Sequence, residues 1–353
     1  MPLLLDTAKS AAAVELRSAN CITIGLVNNM PDAALEATER QFVELIRAAA
    51  TGCVVRLKLF AIADVPRGER ARENLAARYR DVADLWNERL DGLIVTGTEP
   101  RAKDLRDEPY WAALTEIVDG AREHTASTIW SCLAAHAAVL HTDGIVRRPL
   151  KEKLSGVFDC DTVAALPQLP IGAPRLRVPH SRHNDLAERA LTNSGYTILT
   201  RSAAAGVDMF ARAERHSLFL FLQGHPEYDG GSLLREYRRD VGRFLRGERE
   251  HYPSLPQSYF DEGAAAAAQA FRKLAHDERR EDVISDFPLA ALEAGLADAG
   301  GETDWRRSAV GIYQSWIDYL KERRAAGKAG RWSPRPRPLA GESGAGRAAK
   351  WGG

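Results

Sequence analysis

The chain has little with which to bind a metal, span a membrane or attract a polyanion. Its 353 residues contain four cysteines, Cys21, Cys53, Cys132 and Cys160, and no CxxC pair. That is neither the density of a disulfide scaffold nor the spacing of a zinc site, and it fits a reducing compartment. Lysine plus arginine and aspartate plus glutamate number 48 each, so there is no net field to draw in nucleic acid or an anionic membrane surface. No apolar run approaches the ~20 residues of a membrane span. Met1-Pro2-Leu3-Leu4-Leu5-Asp6 has an apolar patch with no basic region before it and an acid straight after, which makes a poor secretion signal. The expectation is a cytoplasmic protein with no nucleic-acid or membrane partner, long enough for one large or two small domains.

What is present centres on Ile129-Trp130-Ser131-Cys132-Leu133-Ala134-Ala135-His136-Ala137-Ala138. The β-prone Ser127-Thr128-Ile129-Trp130 breaks at Cys132 into helix-favouring alanines, which places a thiol at a strand-to-helix corner. At a helix N-terminus, unpaired N–H groups and the helix dipole favour thiolate and can hold an oxyanion. The plainer reading is a small buried apolar cysteine. A second stretch bears on the choice. Leu218-Phe219-Leu220-Phe221-Leu222 reads as a buried strand ending at Gln223-Gly224-His225-Pro226-Glu227, so a base and an acid sit at a strand's C-terminal end. Pro226 keeps the chain extended, so Glu227 can lie beside the His225 imidazole and fix its tautomer. Nucleophile, base and orienting acid are all available.

The rest of the chain supplies the frame. Strands are predicted at 22–28, 53–60 and 93–95, and helices at Asp32 onward, over much of 66–90 and at 110–124. Asp32 is a candidate N-cap for a helix carrying Leu35, Phe42, Leu45 and Ile46, and Tyr79, Val82, Leu85 and Trp86 are spaced for one face of a helix over 78–90. This βα alternation predicts a parallel sheet with right-handed crossovers. Short strands at 153–158, 175–178, 196–199, 206–210 and 218–222 then extend it antiparallel. A helix capped by Ser232 carries Leu234, Tyr237, Val241 and Phe244 on its buried face. Residues 261–303 read as a helical insertion, 304–326 as an amphipathic helix, and 327–353 as a disordered tail. Residues 1–21 read as an N-terminal extension and 22–260 as the catalytic domain.

With these motifs in order, the chain resembles a known family. Cys132 with a distant Gly224-His225-Pro226-Glu227 resembles the Cys-His-Glu triad of class I glutamine amidotransferase-like folds. Asn29-Met30-Pro31, Asp91-Gly92-Leu93-Ile94-Val95-Thr96-Gly97, Tyr110-Trp111, Glu152-Lys153-Leu154-Ser155-Gly156-Val157, Pro179-His180-Ser181-Arg182 and Gly224-His225-Pro226-Glu227-Tyr228-Asp229 together look like the homoserine O-succinyltransferase family. The resemblance implies an α/β fold, flavodoxin-like or class I glutamine amidotransferase-like. Its sheet would have a parallel core with an antiparallel extension, and helices on both faces. It implies acylation of the L-homoserine hydroxyl in methionine synthesis through an acyl-cysteine, with Cys132, His225 and Glu227 catalytic. Lys153, Ser181 and Arg239 fall on positions that in the family contact substrates, and a homodimer is implied as well.

Arg101 aligns with a loop residue that helps select succinyl or acetyl donors in the family. An arginine there could grip a succinyl carboxylate bidentately, which tilts the expected donor from acetyl-CoA toward succinyl-CoA. Asp32-Ala33 stand where the family commonly has lysines, so serine stays open beside homoserine as acceptor. No cofactor beyond the acyl-CoA co-substrate is expected. No metal is expected either, because no acid or cysteine lies at ligand spacing in sequence from His136, His180 or His183. Two other classes stay open. A glutamine amidotransferase-type amide hydrolase would need a synthetase partner, and the Gly-x-Gln that usually follows its nucleophile is missing. A catalytically idle binding module would have no need for all three triad residues.

Overall fold

The computed structural model describes residues 3–8, 21–170, 173–298 and 301–327. In chain order the strands are β1 (Leu3–Asp6), β2 (Cys21–Val27), β3 (Val54–Ala61), β4 (Arg80–Asp81), β5 (Gly92–Val95), β6 (Ser127–Ser131), β7 (Arg148–Thr162), β8 (Arg175–Asp185), β9 (Thr197–Ser202), β10 (Gly206–Glu214) and β11 (Ser217–Leu222). The helices are α1 (Asp32–Ala49), α2 (Glu69–Arg78), α3 (Trp111–His124), α4 (Leu133–Asp143), α5 (Glu188–Asn193), α6 (Ser232–Leu245), α7 (Glu262–Asp277), α8 (Leu289–Asp298) and α9 (Gly301–Ala325).

Period-two burial builds the sheet. On β2, β5, β6 and β11 every residue but Thr23 is buried, so these strands are covered on both faces. Alternate residues go to opposite sides. Ile24, Ile94, Ile129 and Leu220 join one core with α1 and α9, while Leu93, Trp130, Phe219 and Phe221 join another with α3 and α4. The strand order is β1-β3-β2-β5-β6-β11-β10-β9-β7-β8, with β4 beside β3. Pairing is parallel from β1 to β11 and antiparallel from β10 to β8. The expected α/β architecture, a parallel core with an antiparallel extension and helices on both faces, is the one observed.

Local expectations fare unevenly. The predicted helix over 78–90 is absent. Tyr79 is extended, Arg80–Asp81 pair with β3, and Val82–Asn87 form a 3₁₀ helix whose first turn is capped when the Asp81 carboxylate accepts from the Ala83 N–H. The buried Tyr79 hydroxyl is held by Glu39 at 2.7 Å, and that contact overrides the helical spacing. Neither predicted N-cap caps its own helix. Asp32 is the first helical residue of α1, and its carboxylate accepts the Gly68 N–H at the start of α2. Ser232 likewise sits inside α6 and accepts from the Gln41 side chain. Part of the presumed N-terminal extension is structural, since Leu3–Asp6 form an edge strand paired with β3.

Between residues 261 and 298 lie α7, a 3₁₀ helix over Glu281–Asp286, and α8. Phe271, Ala275 and Leu292 form a third core with Leu234, Tyr237 and Phe244 of α6 and with Trp305. Helix α9 crosses the first core, burying Ile312, Tyr313, Trp316 and Leu320, and Trp316 Nε1 donates to Ser127 Oγ at 2.9 Å. The predicted tail over 327–353 lies outside the described residues, apart from Gly327. Trp316→Ala empties a fully buried site and removes that hydrogen bond, so it should cost roughly 3–5 kcal/mol, read as a lowered urea midpoint at unchanged slope. A loss under about 1 kcal/mol would mean that α9 is not part of the core.

Candidate active site

The register of β6 and β11 sets the site. Leu222 pairs with Ser131, and the Cys132 N–H continues the ladder by donating to the Leu222 carbonyl at 2.7 Å. The chain must then leave the sheet at once, and Cys132 takes φ 50°, ψ −110°, ahead of Leu133 at the start of α4. A non-glycine residue there costs about 1–3 kcal/mol, a strain that surrounding packing has to over-determine. Packing is tight here. A Cβ on Gly97, at the end of β5, would lie 2.7 Å from Leu133 Cβ and 2.9 Å from Leu133 N, so only glycine lets the β5 loop approach the corner. Asn29 ties the β2 turn to the same loop, its N–H donating to Thr96 Oγ1 at 2.8 Å.

His225 and Glu227 follow β11 directly. His225 Nδ1 lies 2.8 Å from Glu227 Oε1, and its ring also hydrogen-bonds the Cys132 side chain. Burial alone would favour the neutral ring. The Cys132 sulfur and the Glu227 carboxylate outweigh it by charge and hydrogen bonding and push His225 well above its ordinary value. The structure therefore gathers Cys132, His225 and Glu227, from two separate strand ends, into one line of contacts. The turn that carries His225 is fixed from behind by its own N–H, which donates to the Pro179 carbonyl at 2.7 Å. A Cβ on Gly224 would meet Val178 Cγ1, Asp208 Oδ1 and His180 Nε2 at 2.5, 2.7 and 3.0 Å.

The other predicted residues fall into two places. Lys153 and Ser181 converge on Glu236. Lys153 Nζ donates to its Oε2 at 3.0 Å and to Asp240 Oδ2 at 2.9 Å, and the Ser181 hydroxyl donates to the same Glu236 oxygen. Arg239, 39% exposed, reaches Asp240 Oδ1 at 3.2 Å, and Arg249 adds a second contact to Asp240 at 3.5 Å. Tyr228 links this cluster to the triad. Its hydroxyl donates to Glu236 Oε1 at 2.6 Å while its ring stacks on His225, centroids 4.3 Å apart. Arg101 is elsewhere, with an exposed side chain, and its backbone N–H donates to Glu108 Oε1 at 2.5 Å.

Glu236, Asp240 and Tyr228 were not picked out from sequence. A signal existed, because Glu236 and Asp240 are four apart and flank the buried Tyr237 and Val241 on α6, where carboxylates need partners. His136 is a packing residue, 2.9 Å from Gln223 Oε1 and held neutral by burial, which lowers it to about 4. The spacing argument against a metal missed one grouping. Cys160, His180 and Asp208, far apart in sequence, bring ligand-type atoms within 4.8 Å of one another, all buried. His180 Nε2 lies 3.3 Å from Asp208 Oδ1.

Comparison with known proteins adds the decisive observation. The family model described as homoserine O-succinyltransferase matches residues 6–326. The chain belongs to the homoserine O-succinyltransferase family. A relative of that name from Rhodopseudomonas palustris is 52% identical over 303 residues, covering 85% of this chain and 88% of its own. Another, from Methylorubrum extorquens, is 47% identical over 86% of this chain and 88% of its own. Among solved structures, a glutamine amidotransferase from Methylobacillus flagellatus overlaps 86% of this chain and 96% of its own, at 15% identity and a TM-score of 0.45.

Glu236 generates a prediction. Burial would raise its pKa, but Lys153, Arg239 and hydrogen bonds from Ser181 and Tyr228 prevail and hold it at about 2, below the ordinary 4.5. A depressed carboxylate contributes stability above its ordinary pKa and loses it as pH falls toward the folded value. Glu236→Gln should therefore be destabilised by roughly 1–3 kcal/mol at pH 7. The gap to wild type should narrow as pH falls from 4.5 toward 2, which thermal melts across that range would follow. A gap constant with pH would show that its charge is not used.

Proposed function

We propose that this protein moves a succinyl group from succinyl-CoA to the hydroxyl of L-homoserine through an acyl-cysteine on Cys132. The contact of His225 with both Cys132 and Glu227 is the observation that carries the reading. In the first half, the Cys132 sulfur attacks the thioester carbonyl and forms a new carbon–sulfur bond. The bond to the CoA sulfur breaks, and the proton on His225 leaves with CoA. In the second half, neutral His225 takes the proton of the acceptor hydroxyl as its oxygen attacks the acyl-cysteine. The Cys132 carbon–sulfur bond breaks, and the thiolate–imidazolium pair re-forms with Glu227 stabilising the ring.

The residues around the triad serve these steps. The backbone N–H groups at the start of α4, beside the close-packed Gly97, are the proposed donors to the oxyanion of each tetrahedral intermediate. On the acceptor side, Arg239 has an exposed guanidinium edge for the amino acid's carboxylate. Lys153 and Ser181 border the same cluster and hold Glu236, through which Tyr228 keeps the His225 ring in place. The family's role in methionine biosynthesis is the proposed pathway.

The test is intact-protein mass spectrometry after mixing with succinyl-CoA or acetyl-CoA and no acceptor. A mass gain of one succinyl group on the wild type, absent from Cys132→Ala and discharged by added homoserine, is expected. An acetyl gain instead would reassign the donor. No gain from either, with ammonia released from glutamine, would replace acyl transfer by amide hydrolysis. In steady state, Cys132→Ser should lower turnover by roughly 1,000-fold or more with an unchanged melting temperature; unchanged turnover would remove Cys132 from the mechanism.

A further inference from the structure

A narrow crevice, too tight here to admit a water molecule, lies beside the Cys132 corner, lined by Asn29, Thr96, Gly97, Thr98, Tyr110 and Leu133, among others. Its walls carry an imbalance. The Glu108 carboxylate, the acid nearest in sequence to Tyr110, is buried, and its Oε1 is taken by the N–H groups of Arg101 and Ala102 at 2.5 and 2.6 Å. The Tyr110 hydroxyl is buried with Glu108 as a near polar partner, a contact that falls short of normal hydrogen-bond geometry. Arg147, in the short segment between α4 and β7, lies within electrostatic range of Tyr110 and Cys132. That segment is anchored, because Gly144 caps α4 at φ 68° and Ile145 packs into the core that also holds Tyr110, Leu114 and Leu133.

Arg147 is half-buried and makes no hydrogen bond or ion pair with any described residue. The groups acting on its charge are Tyr110, Glu108, Cys132 and Asp104. Asp104 is already held by Arg106 at 2.6 Å. A guanidinium drawn partly out of water, with no protein acceptor among the described residues, is a place where an anion can pair at reduced hydration cost. Arg101, by contrast, keeps its side chain in solvent and contributes its backbone to the loop.

We propose that Arg147, with the Tyr110 hydroxyl beside it, binds the free carboxylate of a dicarboxylic acyl group while that group is carried on Cys132. Arg147, rather than Arg101, is then the residue that makes the site prefer succinyl over uncharged acyl donors. This rests on the acyl-transfer reading above. A succinyl group places its carboxylate two methylenes from the reacting carbonyl, and butyryl has the same length without the charge. The pair of donors isolates the contact.

The experiment compares acyl-enzyme formation from succinyl-CoA and butyryl-CoA in wild type, Arg147→Gln, Arg147→Lys and Arg101→Gln, each checked for an unchanged melting temperature. Arg147→Gln should lower the succinyl-CoA rate constant per concentration by about 10–100-fold, the range of a lost charge-assisted pair. Butyryl-CoA should stay within about twofold, Arg147→Lys should recover part of the loss, and Arg101→Gln should change neither donor by more than about twofold. An acyl-enzyme in wild type with equal loss for both donors, or no loss, in Arg147→Gln would overturn the assignment alone. A larger donor-selective loss in Arg101→Gln would return the role to Arg101. Failure of the wild type to form an acyl-enzyme from any acyl-CoA would overturn the acyl-transfer reading and this assignment with it.

Discussion

The site depends on two parallel strands ending level. Because Leu222 pairs with Ser131 and then accepts the Cys132 N–H, Cys132 leaves β6 beside the strand that delivers His225 three residues later. The distance between them is set by a backbone ladder whose residues are all buried, and not by loops that could drift. The strain at Cys132 is the local cost of turning from strand to helix within one residue. It is held by the close packing of the Gly97 loop against Leu133 at the start of α4. Helix α4 starts at the same corner, so one backbone feature positions the sulfur and the N–H groups proposed to hold the oxyanion.

Behind the triad, charge is organised as a chain of contacts. Lys153 and Ser181 hold Glu236, Glu236 holds the Tyr228 hydroxyl, and the Tyr228 ring lies flat on His225. Buried carboxylates are tolerated only when their partners make up for lost hydration, and Glu236 and Asp240 meet that condition through Lys153, Arg239 and Arg249. Arg147, within electrostatic range of Cys132, has no such partner among the described residues. The contrast between a satisfied cluster on the acceptor side and an unsatisfied cation on the donor side is what separates the proposed roles of the two regions.

Much of the frame was legible. Continuous apolar runs such as Leu218 to Leu222 give the doubly covered strands, and the break from Trp130 into alanines gives the corner, because each depends on a few adjacent residues. Capping was misplaced at Asp32 and Ser232, since a carboxylate or hydroxyl near a helix start serves whichever N–H the tertiary fold brings closest. The helix expected over 78–90 failed for a related reason. Its apolar spacing is helical, but the Tyr79 hydroxyl finds Glu39 on α1, forty residues away, and the backbone extends to reach it. The Cys160, His180 and Asp208 grouping could not be read from spacing at all, because three different strands, β7, β8 and β10, supply its members.

The sequence by itself determined the α/β class and the strands and helices that carry Cys132, His225 and Glu227, and it singled these three out as the proposed nucleophile, base and acid, because those readings follow from local propensity and from residue chemistry. Only the tertiary structure decided which charges are spent and which are free. Lys153 on β7 and Arg147 just before it are cations six residues apart, yet one meets two carboxylates on α6 and the other meets none among the described residues. Pairing in a buried site depends on which elements pack together, and that is settled by the sheet register and the cores on either face of it.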